Sequence, residues 1–449
     1  MRRHRLASAA AAIALLSLVA GTTASTVFAL RSSRAAERAR QAGLEQERAA
    51  TAARAAAEEA ERARAELAEL SMDFVFEFAL PIADLPGATE VRAELLRRGL
   101  THLEGLESQL LQDVDDSLRL VRAQIHLGDV LGGMDKANLG DFDGRAAAHE
   151  QAWRLIETVA ARYPEEPQLA TYRSSVLSRQ GRACLDRGDL DGAAEYFEAA
   201  LEEARARRDG DRVPSDLADD LAQALSNYGQ LRGLRGDHDF ALEAFEAALA
   251  LRRALRDGDP QSPGCQLRLG HTLAQTGAAL GRQGQADRSE ARYRAALAAF
   301  DEGSERWPDK GSFARAAAET HAALASAMLP HDRGHLVLEV TAEGLERVAA
   351  LEALDPADTG VHRLRGDLCF SRARAHESLA EGAEVAEPFR AALEQALAEF
   401  DRSRAAFTRL RDLGAMLPRE SGYFAVIDAA QAAVRDQLEV GPGTAPSPR

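Results

Sequence analysis

The sequence predicts an all-α chain: a solenoid of helical hairpins behind an N-terminal apolar helix and a long helical spacer. Three observations carry this. Glycine-led turns recur every 48 residues, at Gly140, Gly188, Gly236 and Gly284. Apolar residues between the turns follow three- and four-residue spacings, the period of one helical face. Alanine, leucine, arginine and glutamate dominate, and with only 5% aromatic residues this composition favours helix over strand.

Residues 1–5 form a short tail carrying Arg2, Arg3 and Arg5, and residues 6–30 contain no charged side chain. A helix over residues 6–30 rises about 37 Å, enough for a transmembrane helix across a hydrocarbon core of ~30 Å. The basic start and Thr22-Thr23-Ala24 also suit a cleaved signal peptide. The apolar run continues through Val27-Phe28-Ala29-Leu30, however, so an uncleaved single-pass anchor is the expectation. Arginines flank both sides (Arg31, Arg34, Arg38 and Arg40 follow), which divides the positive-inside rule. A five-residue tail with three arginines is easier to retain than to translocate. The expected placement is therefore a bacterial cytoplasmic membrane, with the remainder of the chain on the periplasmic side.

Residues 31–71 are rich in Ala, Arg and Glu and read as a helical spacer or weak coiled coil. Between 32 and 70 there is no proline and one glycine, Gly43, and the large apolar residues are Leu44, Leu67 and Leu70. So thin a seam suits a solvated helix better than a dimerising zipper. An aromatic stretch follows at Met72–Phe78, then the breaker Leu85-Pro86-Gly87 and a helix over about 88–111.

The repeat domain is assigned to 72–440, clearest over 117–310, with 441–449 a disordered tail. Each period reads helix, glycine turn, helix. Leu177, Gly181, Ala193, Phe197 and Ala200-Leu201 of one repeat become Leu225, Gly229, Ala241, Phe245 and Ala248-Leu249 in the next. They become Leu273, Gly277, Ser289, Tyr293 and Ala296-Leu297 in the one after. Arg208-Asp209-Gly210-Asp211 returns as Arg256-Asp257-Gly258-Asp259 in the same register. In the first repeat Arg145 and His149 occupy the small and aromatic positions, and extra residues enter the turn around Gly132-Gly133-Met134. Past Pro308 the register decays, although helices over 312–328, 337–354, 359–379, 388–413 and 423–440 continue the pairing.

This order of large apolar, small, small, aromatic and small residues resembles the tetratricopeptide repeat, where small residues let two helices approach and the aromatic fills the gap. A second resemblance is narrower. Leu85-Pro86-Gly87-Ala88-Thr89-Glu90-Val91-Arg92, Leu127-Gly128-Asp129-Val130 and Ala137-Asn138-Leu139-Gly140-Asp141 resemble a region of bacterial transmembrane serine/threonine kinases. In that family the region follows the membrane helix and spacer and opens an extracytoplasmic tetratricopeptide domain. The resemblance implies an outward-facing sensory or scaffolding ectodomain. No glycine-rich phosphate loop or His-Arg-Asp loop accompanies it, and Asp141-Phe142-Asp143-Gly144 has one residue too many for the Asp-Phe-Gly metal motif.

Net charge is −16, and residues 1–40 hold seven Arg against one Glu, so the rest carries 48 basic against 70 acidic residues. That balance disfavours nucleic acid as a partner. Cys184, Cys265 and Cys369 are too few and too scattered for a disulfide framework or metal pair. Aspartates in the Asp-x-Asp-Gly turns lack the upstream acid of a calcium loop and read as helix caps. No catalytic motif, metal site or small-molecule cofactor site is expected, which points away from an enzyme.

The inner face remains. The helix-A register places Arg179, Arg182, Asn227, Gln230, His271, Gln275 and Arg282 on or near the concave side. This polar and locally positive set suits an acidic or C-terminal peptide segment of a protein partner. The functional expectation is a non-catalytic, membrane-anchored interaction scaffold or sensor. The alternative is a detached ectodomain component of a serine/threonine kinase signalling system.

Overall fold

A left-handed glycine marks all four clear turns of the repeat, and an aspartate follows it in three of them. Gly140, Gly188, Gly236 and Gly284 all adopt the left-handed conformation, with φ between +73 and +88. In this region a Cβ would clash with the backbone. At three of these turns the next residue's N–H reaches back five residues to the closing helix: Asp189 to Cys184 O at 2.9 Å, Asp237 to Arg232 O at 2.9 Å and Gln285 to Leu280 O at 3.0 Å. The same aspartates open the following helix. Asp141, Asp189 and Asp237 accept from the amides of Gly144, Gly192 and Phe240 at 2.8, 2.9 and 3.3 Å. One dipeptide thus satisfies the orphan carbonyls of one helix and the orphan amides of the next.

The computed structural model describes residues 2–73, 87–104, 107–133, 137–206, 215–383 and 385–440. The aromatic stretch beyond Asp73, the Leu85-Pro86 breaker, part of the first-repeat insertion (134–136), the Asp209–Pro214 linker and the tail 441–449 lie outside them. The chain divides into two units, Met1–Glu69 and Leu70–Arg449. Helix α1 runs Arg2–Asp73 and supplies the first unit. Its apolar side chains from Leu15 to Leu30 are exposed. The hydroxyls of Thr22 and Thr23 bond back to Leu18 O and Val19 O at 2.8 and 2.7 Å, and that of Thr26 to Thr22 O.

The second unit begins with α2 (Thr89–Glu104) and a single turn α3 (Glu107–Leu110), and α2 packs on the first full hairpin. Six hairpins follow: α4–α5 (Val114–Gly132, Phe142–Arg162), α6–α7 (Gln168–Arg187, Leu190–Ala206), α8–α9 (Ser215–Leu234, His238–Gly258), α10–α11 (Pro263–Arg282, Ala286–Arg306), α12–α13 (Gly311–Met328, Gly334–Leu354) and α14–α15 (Thr359–Glu381, Ala386–Asp412). Helix α16 (Tyr423–Val440) lies against α15 and closes the array. No strand occurs among the described residues. Helices α8 to α11 are 20, 21, 20 and 21 residues long, with residues 235–237 as the turn and 259–262 as the linker. The residues beyond a tetratricopeptide unit of about 34 therefore lengthen the helices, not the connections.

In the three central hairpins, α6–α7, α8–α9 and α10–α11, a glycine of the first helix faces a ring from the second. A Cβ built on Gly181 would lie 2.4 Å from the Phe197 ring, and one on Gly277 would lie 3.0 Å from Tyr293. Phe245 stands 3.5 Å from the corresponding point on Gly229. These rings are almost wholly buried. Between hairpins the filling is continuous: Leu249 of α9, Leu269 and Leu273 of α10, Phe300 of α11 and Phe313 of α12 form one cluster. Turn-edge pairs keep adjacent hairpins in register at nearly the repeat spacing. Arg235 pairs with Asp191 at 2.5 Å, Gln283 with Asp239 at 2.8 Å, and Arg333 with Asp287. Such exposed pairs contribute about 0.2–1 kcal/mol each, so they set alignment more than stability.

The superhelix of the second unit completes a turn, and its first edge meets its last. Thr89 donates from N and Oγ1 to Asp355 Oδ2 at 3.3 and 2.5 Å. Thr359 N donates to Asn138 O at 3.0 Å, and Asn138 N to Asp358 Oδ1 at 3.3 Å. Arg419 Nη1 lies 3.3 Å from Asp186 Oδ1. A Cβ on Gly140 would stand 2.3 Å from that of Ala415, so the turn glycine also permits this approach.

Candidate partner-binding cleft

The first helices of successive hairpins lie side by side, so polar residues on their shared face meet across one repeat. On α6, Thr171, Ser175, Ser178 and Arg182 recur every three or four residues, and Asp220, Gln223 and Asn227 do so on α8. Together with Asp129 of α4 these faces enclose a cleft of about 230 Å3, lined by Asp129, Ser174, Ser175, Ser178, Arg179, Arg182, Asp219, Asp220, Gln223 and Asn227.

Side chains bridge the helices in sequence. The Arg179 guanidinium forks onto Asp129 with two bonds of 2.8 Å and reaches Ser175 Oγ at 2.6 Å. Thr171 Oγ1 donates to Asp220 at 2.9 Å. Arg182 Nη2 donates to Asn227 Oδ1 at 3.2 Å, and Gln223 Nε2 donates to the same oxygen at 3.1 Å. Asp219 takes Arg252 of α9 and Arg268 of α10, the latter at 2.8 Å.

Of the residues the helix-A register places on the concave side, Arg179, Arg182 and Asn227 line this cleft. Gln230 lies one turn beyond Asn227, partly buried, with Oε1 out of reach of any donor. His271, Gln275 and Arg282, all on α10, do not line it. The His271 ring packs edge-on against Phe300 at 5.3 Å inside its own hairpin. Gln275 is half-buried, and Arg282 is exposed with its guanidinium near Gly233. The cleft is also not a positive patch: two arginines share it with three aspartates. Reading each first helix alone misses which acids face Arg179 and Arg182, because Asp129 comes from α4 and Asp219 and Asp220 from the start of α8. The 3–4 spacing of Asp220, Gln223 and Asn227 is the signal that could have found part of the set.

Behind the cleft sits the altered first hairpin. His149 takes the place of the ring, with Nε2 2.3 Å from a Cβ built on Gly128 and 3.9 Å from Asp129 Oδ1. Both ring nitrogens are buried without a hydrogen-bond partner. Burial lowers its pKa from 6.5 to about 4, an effect that Asp129 opposes and Arg179 and Arg145 reinforce. Arg145, in the place of a small residue, donates to Gly132 O at 2.9 Å and pairs with Asp186 at 2.8 Å. Among the described residues no group of three His, Cys, Asp or Glu is placed to hold a metal, and the three cysteines are unpaired. Asp332, in the turn between the two histidines His331 and His335, accepts from Ser378 at 2.9 Å.

No protein-family model matches the chain, and none of the curated proteins matches it. Among solved structures it is similar to a Rap protein complexed with competence and sporulation factor (13% identity, TM-score 0.41), covering 84% of this chain and 99% of that one. A tetratricopeptide repeat protein from Parabacteroides merdae is similar at 13% identity and TM-score 0.34, covering 83% and 99%. So is a signal transduction ATPase with a tetratricopeptide repeat sensor from Pyrococcus horikoshii, at 11% and 0.40, covering 78% of this chain and half of that one. The hairpins and glycine contacts above define the present chain as an array of stacked helical hairpins.

Because His149 and His321 are both lowered from 6.5 to about 4 by burial, they resist protonation in the fold and accept it when unfolded. Their contribution is complete above pH 6.5 and is lost as pH falls towards 4. The urea midpoint should drop between pH 7.5 and 5. His149→Phe, which restores the ring of the next repeat, should lessen that drop. An identical drop in both proteins would contradict the assignment.

Proposed function

We propose that this protein is a non-catalytic, membrane-anchored scaffold or sensor that captures a segment of a protein partner in the α4–α6–α8 cleft. The carrying observation is Arg182. Asp129 holds Arg179, whereas Arg182 meets only the Asn227 amide and forms no ion pair among the described residues. It is the cation left to receive a carboxylate, from an acidic side chain or a chain terminus, with Gln223, Asn227 and the serines supplying bonds to a peptide backbone. Charge-assisted bonds of this kind contribute about 1.5–3 kcal/mol. The surrounding aspartates would repel a long acidic tract, so one or two carboxylates in an otherwise neutral segment fit best.

Support for the anchor is the apolar stretch in α1, where residues 6–30 carry no charged side chain and the apolar side chains from Leu15 to Leu30 are exposed. Its threonine hydroxyls bond to the helix's own carbonyls, as a lipid environment requires. On this reading the repeat unit faces the periplasm of a bacterial cell. A second reading, a detached ectodomain working with a separately encoded serine/threonine kinase, draws on the Leu85–Arg92 and Ala137–Asp141 segments.

Two experiments test these readings. In pull-downs from envelope extract, Arg182→Ala should recover at least tenfold less of a specific partner than wild type, while Arg282→Ala, outside the cleft, should not. Equal recovery by all three would sink the cleft, and a kinase in the wild-type eluate would favour the second reading. Reporter fusions at residue 71 should be active in the periplasm; cytoplasmic activity would overturn the orientation.

A further inference from the structure

The contact between the first and last edges of the superhelix differs in kind from the contacts between neighbouring hairpins. Neighbours are joined by buried apolar side chains. The two edges are joined by hydrogen bonds and charges across separations of up to 266 residues. Thr359 Oγ1 is 3.2 Å from both Asn138 O and Asn138 Oδ1, and Asn138 Nδ2 holds Gly133 O at 2.9 Å. Arg363, which binds Glu420 at 2.5 Å and Ala415 O at 2.9 Å, also stands 6.0 Å over the Phe142 ring. Arg145 approaches the same ring at 5.1 Å. Phe142 thus receives one guanidinium from each edge.

The residues on the first edge are notable for where they fall in sequence. Gly87 and Thr89 belong to the Leu-Pro-Gly-Ala-Thr segment, and Asn138 and Gly140 to the Asn-Leu-Gly-Asp segment. None of these four residues lines the cleft. Gly87, at φ +81, brings its backbone so close that a Cβ would lie 2.7 Å from Leu354 O. Both segments therefore serve the closure. The closure also shares a helix with the cleft: α6 carries Ser175, Arg179 and Arg182 on the cleft wall and, one turn beyond Arg182 in its last turn, Asp186, where Arg419 meets it.

We propose that this edge-to-edge contact is a reversible clasp, and that its opening releases the α4–α6 wall and so widens the cleft. The polar character of the contact fits this role, because separated hydrogen-bonding groups regain water, whereas a parted apolar seam does not. The link to partner capture rests on the cleft reading; the clasp itself does not, since its opening is measurable with no partner present.

The test is hydrogen–deuterium exchange on the full chain in mild detergent, comparing wild type with Thr359→Val, Arg419→Glu and the double variant. Thr359→Val keeps the side-chain size and removes the two hydroxyl bonds to Asn138, leaving the one from the Thr359 backbone N–H. Arg419→Glu, at a half-exposed position, sets like charges against Asp186. The expected result is at least tenfold faster exchange in peptides spanning 137–141 and 174–187 in the double variant, with α10 and α11 unchanged. Unchanged exchange in the double variant would overturn the clasp. So would a uniform increase through all hairpins, which would mean a general loss of stability. If the clasp result holds while Arg182→Ala leaves partner capture intact, the cleft reading fails and the clasp stands.

Discussion

The close approach of an aromatic ring to a glycine backbone is the constraint from which the repeat unit is built. Glycine within a helix costs about 1 kcal/mol relative to alanine. Burying a phenylalanine side chain contributes about 1.5–3 kcal/mol. The exchange is favourable only where the ring from the second helix fills the space a Cβ would take, as Phe197 does on Gly181 and Tyr293 on Gly277. This fixes the two helices in depth and in register. Once fixed, long helices stack with few aromatic residues, because alanine suffices along the rest of the seam. Turn chemistry follows from the same geometry: a chain reversing over three residues needs a left-handed glycine and an immediate cap, which Gly188-Asp189 and Gly236-Asp237 supply.

Much of this was legible in the sequence because it is periodic. The four glycines at constant spacing and the aromatic partners follow from a repeat of two helices. What lacked a period was hidden. The last hairpin uses the same device, with Ser403 Oγ donating to Gly366 O at 2.8 Å and Phe407 against Gly366, just as Ser289 donates to Gly277 O at 2.8 Å under Tyr293. In α14–α15 the longer helices move serine and glycine 37 residues apart instead of 12, so no fixed-period search aligns them. His149 hid the first pair in the same way, by replacing the ring with a polar one. Closure between edges has no local signature at all, since its partners are hundreds of residues apart.

The cleft was half legible for a related reason. Helical spacing identifies the outward face of a single helix, and Arg179, Arg182 and Asn227, read from that spacing, line the cleft. It does not say which neighbour supplies the opposing charge. Asp129 neutralises Arg179 from one hairpin away, and Asp219 is claimed by Arg252 and Arg268 from the other side. The result is a cleft whose charges are mostly paired internally, with Arg182 bonded to the Asn227 amide and in no ion pair among the described residues.

The most direct test of the central constraint is a double-mutant cycle on Gly181 and Phe197, followed by denaturant unfolding. In the wild-type background Gly181→Ala should destabilise, because its methyl group meets the ring. In the Phe197→Ala background the same substitution should stabilise by about 1 kcal/mol, the ordinary helix preference of alanine over glycine. A reversal of sign is what the account predicts. The same sign and size in both backgrounds would show that glycine and ring act independently, and the packing constraint proposed for the repeat would not hold.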